Sequence, residues 1–197
     1  EDSIDSRTIA DLIHELSSKK NKLKNARFIL ATGMNPGNVN MWVRYGIEKF
    51  GKPREIIHFE YDTSMMVKQW KSMISWSINE FLVENVTDPG GVILGKDKVR
   101  LLLPNALTHR IDMEPILKPI LKLKEYPYGC LVLHEENVTI AQKYNIPSKF
   151  VYAINTATMD ALLKIYKKQR RIHRNALILS DNTINILDGS DTIGVLL

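Results

Sequence analysis

The sequence predicts an α/β (α+β) fold in which a central mixed β-sheet is flanked by helices. Apolar residues recur at helical spacing over residues 8–24, after Pro36, and over residues 156–168. Short apolar runs bounded by turn residues, typical of strands, make up much of the remaining chain. Because helices come first and a strand-rich middle follows, we expect layers of helix and sheet around a shared core.

The predicted helices carry clear start and stop signals. The first has one apolar stripe, formed by Ile9, Leu12, Ile13 and Leu16. The second follows Asn35, a favoured N-cap residue, and Pro36, which suits the first helical position; Gly51 and Pro53 end it.

Strands are predicted wherever a short apolar run lies between turn signals. The candidates are residues 27–32, 55–61, 128–133, 149–154, 176–180, 185–188 and 192–197. Residues 73–103 are also strand-like, with a turn at Asp88-Pro89-Gly90-Gly91.

Length, charge and cysteine content exclude several classes of protein. We expect residues 1–197 to form a single domain or a fragment of a larger one. No apolar run is long enough to span a bilayer, and the acidic N-terminus is unlike a secretory signal. A single cysteine, Cys130, cannot form an internal disulfide, so we expect a cytoplasmic protein. The net charge of +5 permits contact with nucleic acid without requiring it.

Several familiar motifs are missing from the sequence. No Gly-x-Gly-x-x-Gly occurs, so the chain lacks its own dinucleotide-binding fingerprint. The run from Gly46 to Lys52 resembles a P-loop, but Pro53 replaces the required Ser or Thr and the run ends a helix. The five histidines and Cys130 lack metal-ligand spacing, so no metal is predicted.

Four short segments could carry chemistry. The Asn35-Pro36-Gly37 turn would direct the free N–H groups of a helix at an anion or a carbonyl. Glu60 and Asp62 end a strand, where alternation places them on one face. Trp76 lies between two serines, and His134-Glu135-Glu136 ends another strand. Acids beside an indole suit an organic polycation, because indole faces attract cations. The last three segments also have ordinary structural interpretations, as a solvated acid, a core tryptophan and a surface ion pair.

Read together, six segments resemble homospermidine synthase, an NAD-dependent enzyme that joins aminobutyl units of putrescine. Gly33 to Val39 is similar to the family's (H)GANPGLV turn and helix, and Ile57 to Thr63 to its strand ending in ExDT/S. The other similar segments are Arg7-Thr8 with the helix that follows, Ser75 to Ser77 with Phe81 and Glu84, Tyr128 to Glu136, and Asp188 to Leu197. They keep the family's order and span nearly the whole chain.

The resemblance implies roles for individual residues. Asn35, with Pro36 and Gly37, would line the NAD site. Glu60 and Glu136 would hold the ammonium groups of a diamine, and His134 would assist proton movement. Trp76 would hold a cationic amine or imine over its ring. The resemblance also implies the substrate domain of such an enzyme without its N-terminal Rossmann half.

The sequence is therefore compatible with three functions. The first is a homospermidine synthase-like chain, either a fragment or a truncated relative, that binds NAD and a diamine or polyamine. The second is a catalytically inactive homologue that serves as a structural or interaction module, with a protein partner or as a homo-oligomer. The third is a nucleic-acid-binding domain, for which the basic run at residues 167–171 is the main support. No aromatic residue interleaves that run, so a solvated helix end explains it more simply.

Overall fold

A computed structural model describes residues 32–66, 72–96, 98–102, 104–180 and 186–197. The helix predicted over residues 8–24 and nearly all of the strand predicted over residues 27–32 lie outside these ranges. Thr32, the last residue of that predicted strand, is described and is not in a strand.

Five α-helices lie in the described part of the chain. They are α1 (Asn38–Phe50), α2 (Ile78–Leu82), α3 (Glu114–Leu117), α4 (Glu135–Tyr144) and α5 (Thr156–Gln169). A π-helical turn, Val83–Thr87, directly continues α2, and 3₁₀ turns cover Ala106–Thr108 and Arg174–Ala176. Gly51 ends α1 as predicted, with a φ of 89° that favours glycine. None of the described helices is both long and apolar enough to cross a membrane.

Eleven strands lie in the same part of the chain. They are β1 (Ile56–Asp62), β2 (Met65–Met66), β3 (Ser72–Ile74), β4 (Gly90–Gly95), β5 (Lys98–Leu102), β6 (Arg110–Asp112), β7 (Tyr128–Val132), β8 (Ser148–Ile154), β9 (Leu177–Leu179), β10 (Ile186–Asp188) and β11 (Asp191–Leu196). Six of the seven predicted strands lie within the described ranges, apart from residue 185, and they are confirmed, as is the helix predicted over residues 156–168.

The central sheet has seven strands and mixed directions. Strand β1 runs parallel to β8 and antiparallel to β11. On its other side β8 pairs antiparallel with β7, which pairs antiparallel with β6. The β4–β5 hairpin joins the beginning of β8 through Ile93 and Ser148. The sheet and its flanking helices confirm the predicted fold class.

Two layers of side chains cover the central sheet. On one face Phe59, Leu131 and Val151 pack against Ile116 and Leu117 of α3. On the other face Phe150, Tyr152 and Ile154 of β8 belong to a second cluster. That cluster includes Phe81 of α2 and Met159 and Leu162 of α5. Because side chains alternate along a strand, this second face also receives the polar residues of β1.

The prediction of strand over the whole of residues 73–103 is wrong for residues 78–87, which are helical. Ser77 is the N-cap of α2, and its Oγ accepts a hydrogen bond from the Glu80 N–H. Ile78, Phe81 and Asn85 are buried at helical spacing. No helix was predicted after His134, where α4 begins at Glu135.

Packing of α2 against the sheet should be necessary for stability. We expect Phe81→Ala to lower the free energy of unfolding by about 3–5 kcal/mol, because Phe81 is fully buried. Phe50→Ala is the matched control, since Phe50 is 75% exposed. Urea unfolding followed by circular dichroism measures both. Equal losses for the two variants would contradict the packing described here.

Candidate functional site

A row of polar side chains, His58, Glu60 and Asp62, lies on the helix-covered face of β1. In register they face Phe150, Tyr152 and Ile154 of β8. His58 and Asp62 are buried, and Glu60 is half-buried. The row therefore runs from the interior of the protein to the end of the strand.

The turn before α1 brings Asn35 to this row. Asn35 Nδ2 donates a hydrogen bond of 2.6 Å to Glu60 Oε2. The turn is closed at Gly37, where φ is 144° and a Cβ atom would lie 1.9 Å from the Gly33 carbonyl oxygen. Only glycine fits so close an approach. The sequence-predicted residues Asn35 and Glu60 are thus in direct contact.

The prediction that Asn35 caps α1 and that Pro36 begins it is wrong. The N-cap is Gly37, and the helix begins at Asn38. The N–H groups of Asn38, Val39 and Asn40 donate to the carbonyls of Gly33, Met34 and Gly37. The Gly37 N–H donates to Asn40 Oδ1. These groups are satisfied within the turn, so they are not free to bind an anion.

Glu60 lies in an acidic environment. Burial of its carboxyl is the main cause of a pKa raised to about 7, and the charges of Asp191 and Asp62 add to it. The hydrogen bond from Asn35 and the charge of His134 act in the opposite direction. Asp191 lies opposite Asp62 on β11. Desolvation, followed by the charge of Asp62, raises the pKa of Asp191 to about 6.

His134 is the centre of a second acidic group. Its ring stacks on Phe150 at 5.0 Å, and its Nδ1 is hydrogen-bonded to Glu136. Nε2 lies 3.7 Å from Glu84 Oε1, and Nδ1 lies 3.4 Å from Glu135 Oε2. Burial alone would lower the pKa of His134, but the Glu136 hydrogen bond and the three carboxylates raise it to about 9. His134 is therefore protonated at neutral pH.

Glu136 and Glu84 differ in exposure. Glu136 is fully buried, and its Oε1 has no hydrogen-bond partner among the described residues. Glu84 is half-buried. Burial raises the pKa of Glu84 to about 7; the charge of His134 opposes this increase, and the neighbouring glutamates add to it. Of these two acids, Glu84 is the one that a solute can reach.

His58 lies behind this group. It is fully buried, and neither ring nitrogen has a hydrogen-bond partner among the described residues. Burial lowers its pKa to about 4, the charge of Glu136 opposes that shift, and the charge of His134 adds to it. His58 is therefore neutral beside a protonated His134.

Trp76 lies in the connection between β3 and α2 and is half-buried. Its Nε1 donates a 2.8 Å hydrogen bond to Tyr152 Oη. Its ring meets Tyr152 and Phe81 edge to face, at 6.0 and 6.4 Å between centroids. Ser75 Oγ donates to Asp62 at the end of β1. These contacts bring Trp76 to the same face of the sheet as Glu60.

The structure brings some of the sequence-predicted site residues close together and leaves others apart. Asn35 contacts Glu60, and Trp76 contacts Tyr152, which lies opposite Glu60 on β8; His134 acts electrostatically on Glu60. Glu136 is fully buried and hydrogen-bonded to His134, so it is not exposed beside Glu60. Pro36 and Gly37 form the turn that carries Asn35.

The chain is similar in fold to the homospermidine synthase of Legionella pneumophila, whose crystal structure is in complex with NAD. The TM-score is 0.68 at 15% sequence identity, over 98% of this chain and 51% of the synthase chain. This chain thus spans about half the length of that enzyme. At such an identity the likeness shows a distant fold relationship alone. No protein-family model and no curated protein sequence matches the chain.

The donor atoms of His134, Glu135 and Glu136 lie within 4.8 Å of one another, a spacing that could hold a metal ion. A metal at that position would have to replace the proton on the His134 nitrogen that is hydrogen-bonded to Glu136.

The groove between α1 and α4 is basic and partly apolar, because Arg44 and Lys143 line it with Met41 and Tyr144. It carries no acidic side chain and is separate from the site on β1.

Three residues of the site were not singled out from the sequence for a role there: Glu84, Tyr152 and Asp191. Glu84 was named in a resembling segment, but the strand prediction concealed its position on a helix beside His134, although Ser77-x-x-Glu80 has the spacing of a capping box. Tyr152 shares a face with Phe150 and Ile154, which alternation along the strand indicates. Asp191 requires the pairing of β11 with β1, which no local pattern reveals.

The contacts of Glu60 should set its pKa in a predictable direction. We expect Asn35→Ala to raise the pKa of Glu60 above about 7, because a hydrogen bond to the charged form is lost. Asp191→Asn should lower it, because a neighbouring negative charge is removed. Carboxyl-carbon NMR titration measures both, and Asn38→Ala on the exposed start of α1 is the control. Shifts of the opposite sign would contradict the assigned environment.

His134 should make stability fall as the pH rises. Its pKa is about 9 in the folded chain against an ordinary value of 6.5. Its stabilising contribution is therefore complete below about 6.5 and is lost as the pH passes through about 9. We expect His134→Gln to flatten the decline in unfolding free energy between these values, measured by urea unfolding. His173→Gln, at an exposed site, should leave the decline intact. An unchanged slope in His134→Gln would refute the assignment.

Proposed function

We propose that this chain binds a diamine or polyamine on the helix-covered face of β1, as the substrate-binding part of a homospermidine synthase-like protein. The observation that carries the proposal is the charge imbalance of the site. Among the described residues, no lysine or arginine forms an ion pair with Glu60, Asp62, Glu84 or Asp191. His134 is the one described cation that acts on Glu60 and Glu84, and it is also hydrogen-bonded to Glu136. Carboxyls that are partly removed from water are costly to charge, and an ammonium group would balance the charge that His134 leaves.

The Trp76 indole favours an organic cation over a metal ion. Trp76 is half-buried beside the carboxylates, and an indole face attracts an ammonium group by about 0.5–2 kcal/mol. A chain of methylene groups would also gain from contact with the indole surface. A diamine has both features, because it joins two ammonium groups by an apolar linker.

The roles within the site are divided by burial. Glu60 and Glu84 are half-buried, so we assign them to the ammonium groups. Glu136 is fully buried against His134, so we assign this pair to holding a proton. A protonated His134 is suited to donate a proton rather than to accept one.

Transfer of an aminobutyl group between polyamines, with NAD as the hydride carrier, is the finer proposal. It is supported by the fold likeness to a synthase in complex with NAD. The residues of the Asn35-Pro36-Gly37 turn do not fit the diphosphate of NAD, because the N–H groups at the start of α1 are already hydrogen-bonded. The diphosphate of NAD would therefore have to be bound by other residues.

The same observation favours a second candidate. A catalytically inactive homologue could keep the amine site and act as a structural or interaction module, without any need for a nucleotide cradle. Calorimetry with putrescine and NAD, added separately and together, distinguishes the two. Binding of putrescine with no heat from NAD favours the module, and binding of both favours the enzyme.

Putrescine affinity should rise as the pH passes upward through about 7. Glu60 and Glu84 lose their protons there, while putrescine keeps both charges. Calorimetry at pH 6 and pH 8 measures this, and neutral 1,4-butanediol is the ligand control. We expect Glu60→Gln to weaken binding at pH 8 about tenfold, and Glu48→Gln, on the exposed face of α1, to leave it unchanged.

Two results would overturn the proposal. One is the absence of heat from millimolar putrescine at pH 8. The other is equal affinity for putrescine and butanediol, since that would remove the role of charge.

A further inference from the structure

Tyr152 occupies the centre of the site but is closed to solvent. It lies on β8 between Glu60 of β1 and Cys130 of β7, and it is 3% exposed. Its ring meets Trp76 and Phe81 edge to face. A side chain so buried cannot contact a ligand directly, so any role in binding must act through its neighbours.

We infer that Tyr152 is the positioning residue that fixes the orientation of the Trp76 indole, and so sets how tightly the site holds an amine. The inference rests on the proposed amine-binding function. It is carried by the 2.8 Å hydrogen bond from Trp76 Nε1 to Tyr152 Oη and by the 90° angle between the two rings.

Trp76 depends on this contact because its backbone lies in a short connection. The neighbouring residues are each held elsewhere: Ser75 Oγ donates to Asp62, and Ser77 Oγ caps α2. These bonds fix the path of the chain but do not hold the indole, whose orientation depends on its packing against Phe81 and on its contact with Tyr152. Of the described groups, Tyr152 Oη is the one that is hydrogen-bonded to the indole edge. Cation–π attraction depends on the ring face, so the edge contact determines whether that face is presented.

The phenol remains a neutral hydrogen-bonding group throughout the physiological range. Burial raises the pKa of Tyr152 well above its usual value, and the charge of Glu60 adds to that. The hydrogen bond from Trp76 has the opposite effect, and the charges of Asp62 and Asp191 raise the pKa further. Tyr152 is thus hydrogen-bonded to the indole and electrostatically coupled to the carboxyls of Glu60, Asp62 and Asp191.

A purely structural role makes a different prediction. If Tyr152 only filled the core, Tyr152→Phe would keep its packing and change little at the site. Tyr166 gives a matched control, since it is 8% exposed and belongs to the same core cluster. Tyr166→Phe removes a hydroxyl from that core without touching Trp76.

The test compares Tyr152→Phe and Tyr166→Phe in the whole chain, alone and combined with Trp76→Ala. The first readout is the indole N–H signal of Trp76 in proton–nitrogen NMR, assigned with a Trp76→Phe variant. We expect Tyr152→Phe to shift this signal and speed its hydrogen exchange, and Tyr166→Phe to leave it unchanged. The second readout is putrescine affinity, which Tyr152→Phe should lower about fivefold to tenfold.

The combined variants decide the mechanism. If Tyr152 acts through Trp76, its substitution should have no further effect on affinity in the Trp76→Ala background. An equal loss in both backgrounds, or an unmoved indole signal, overturns the inference. Wild-type chain that binds no putrescine overturns the proposed function and the affinity role together. Wild-type binding that Tyr152→Phe leaves intact overturns the inference alone.

Discussion

The alternation of side chains along β1 is the constraint on which the site depends. It places His58, Glu60 and Asp62 on one face, opposite Phe150, Tyr152 and Ile154. The other face is apolar and packs on α3. A shift of one residue in the pairing with β8 would bury these polar groups in that apolar layer. Core packing therefore fixes the register, and the register fixes the site.

The electrostatics of the site follow from this placement. Half-buried carboxyls have few water molecules to stabilise their charge, so Glu60 and Glu84 both have a pKa near neutrality. His134 is the one described cation whose charge reaches both. His134 is also hydrogen-bonded to the buried Glu136, so its positive charge is partly balanced before it acts on Glu60 and Glu84. The remaining negative charge is what an organic cation would neutralise.

Local patterns predicted the strands and the acidic row well, because period-two alternation and turn residues are local signals. They failed at residues 78–87, where Ile78, Phe81 and Val86 suit a strand or a helix equally. They also failed at Asn35, which was predicted to be the N-cap of α1. Gly37 is the N-cap instead, and Asn35 is hydrogen-bonded to Glu60. That contact joins residues 25 apart in the chain, so a local sequence pattern cannot predict it.

If the carboxyls on this face of β1 bind an ammonium group, the protonation of Glu60 must respond to it. The most direct measurement is the pKa of Glu60 in the presence and absence of saturating putrescine, followed by carboxyl-carbon NMR. A bound ammonium group favours the charged carboxylate, so the account predicts a pKa that falls clearly below about 7. A pKa that stays the same at saturation would place the amine elsewhere and contradict the account.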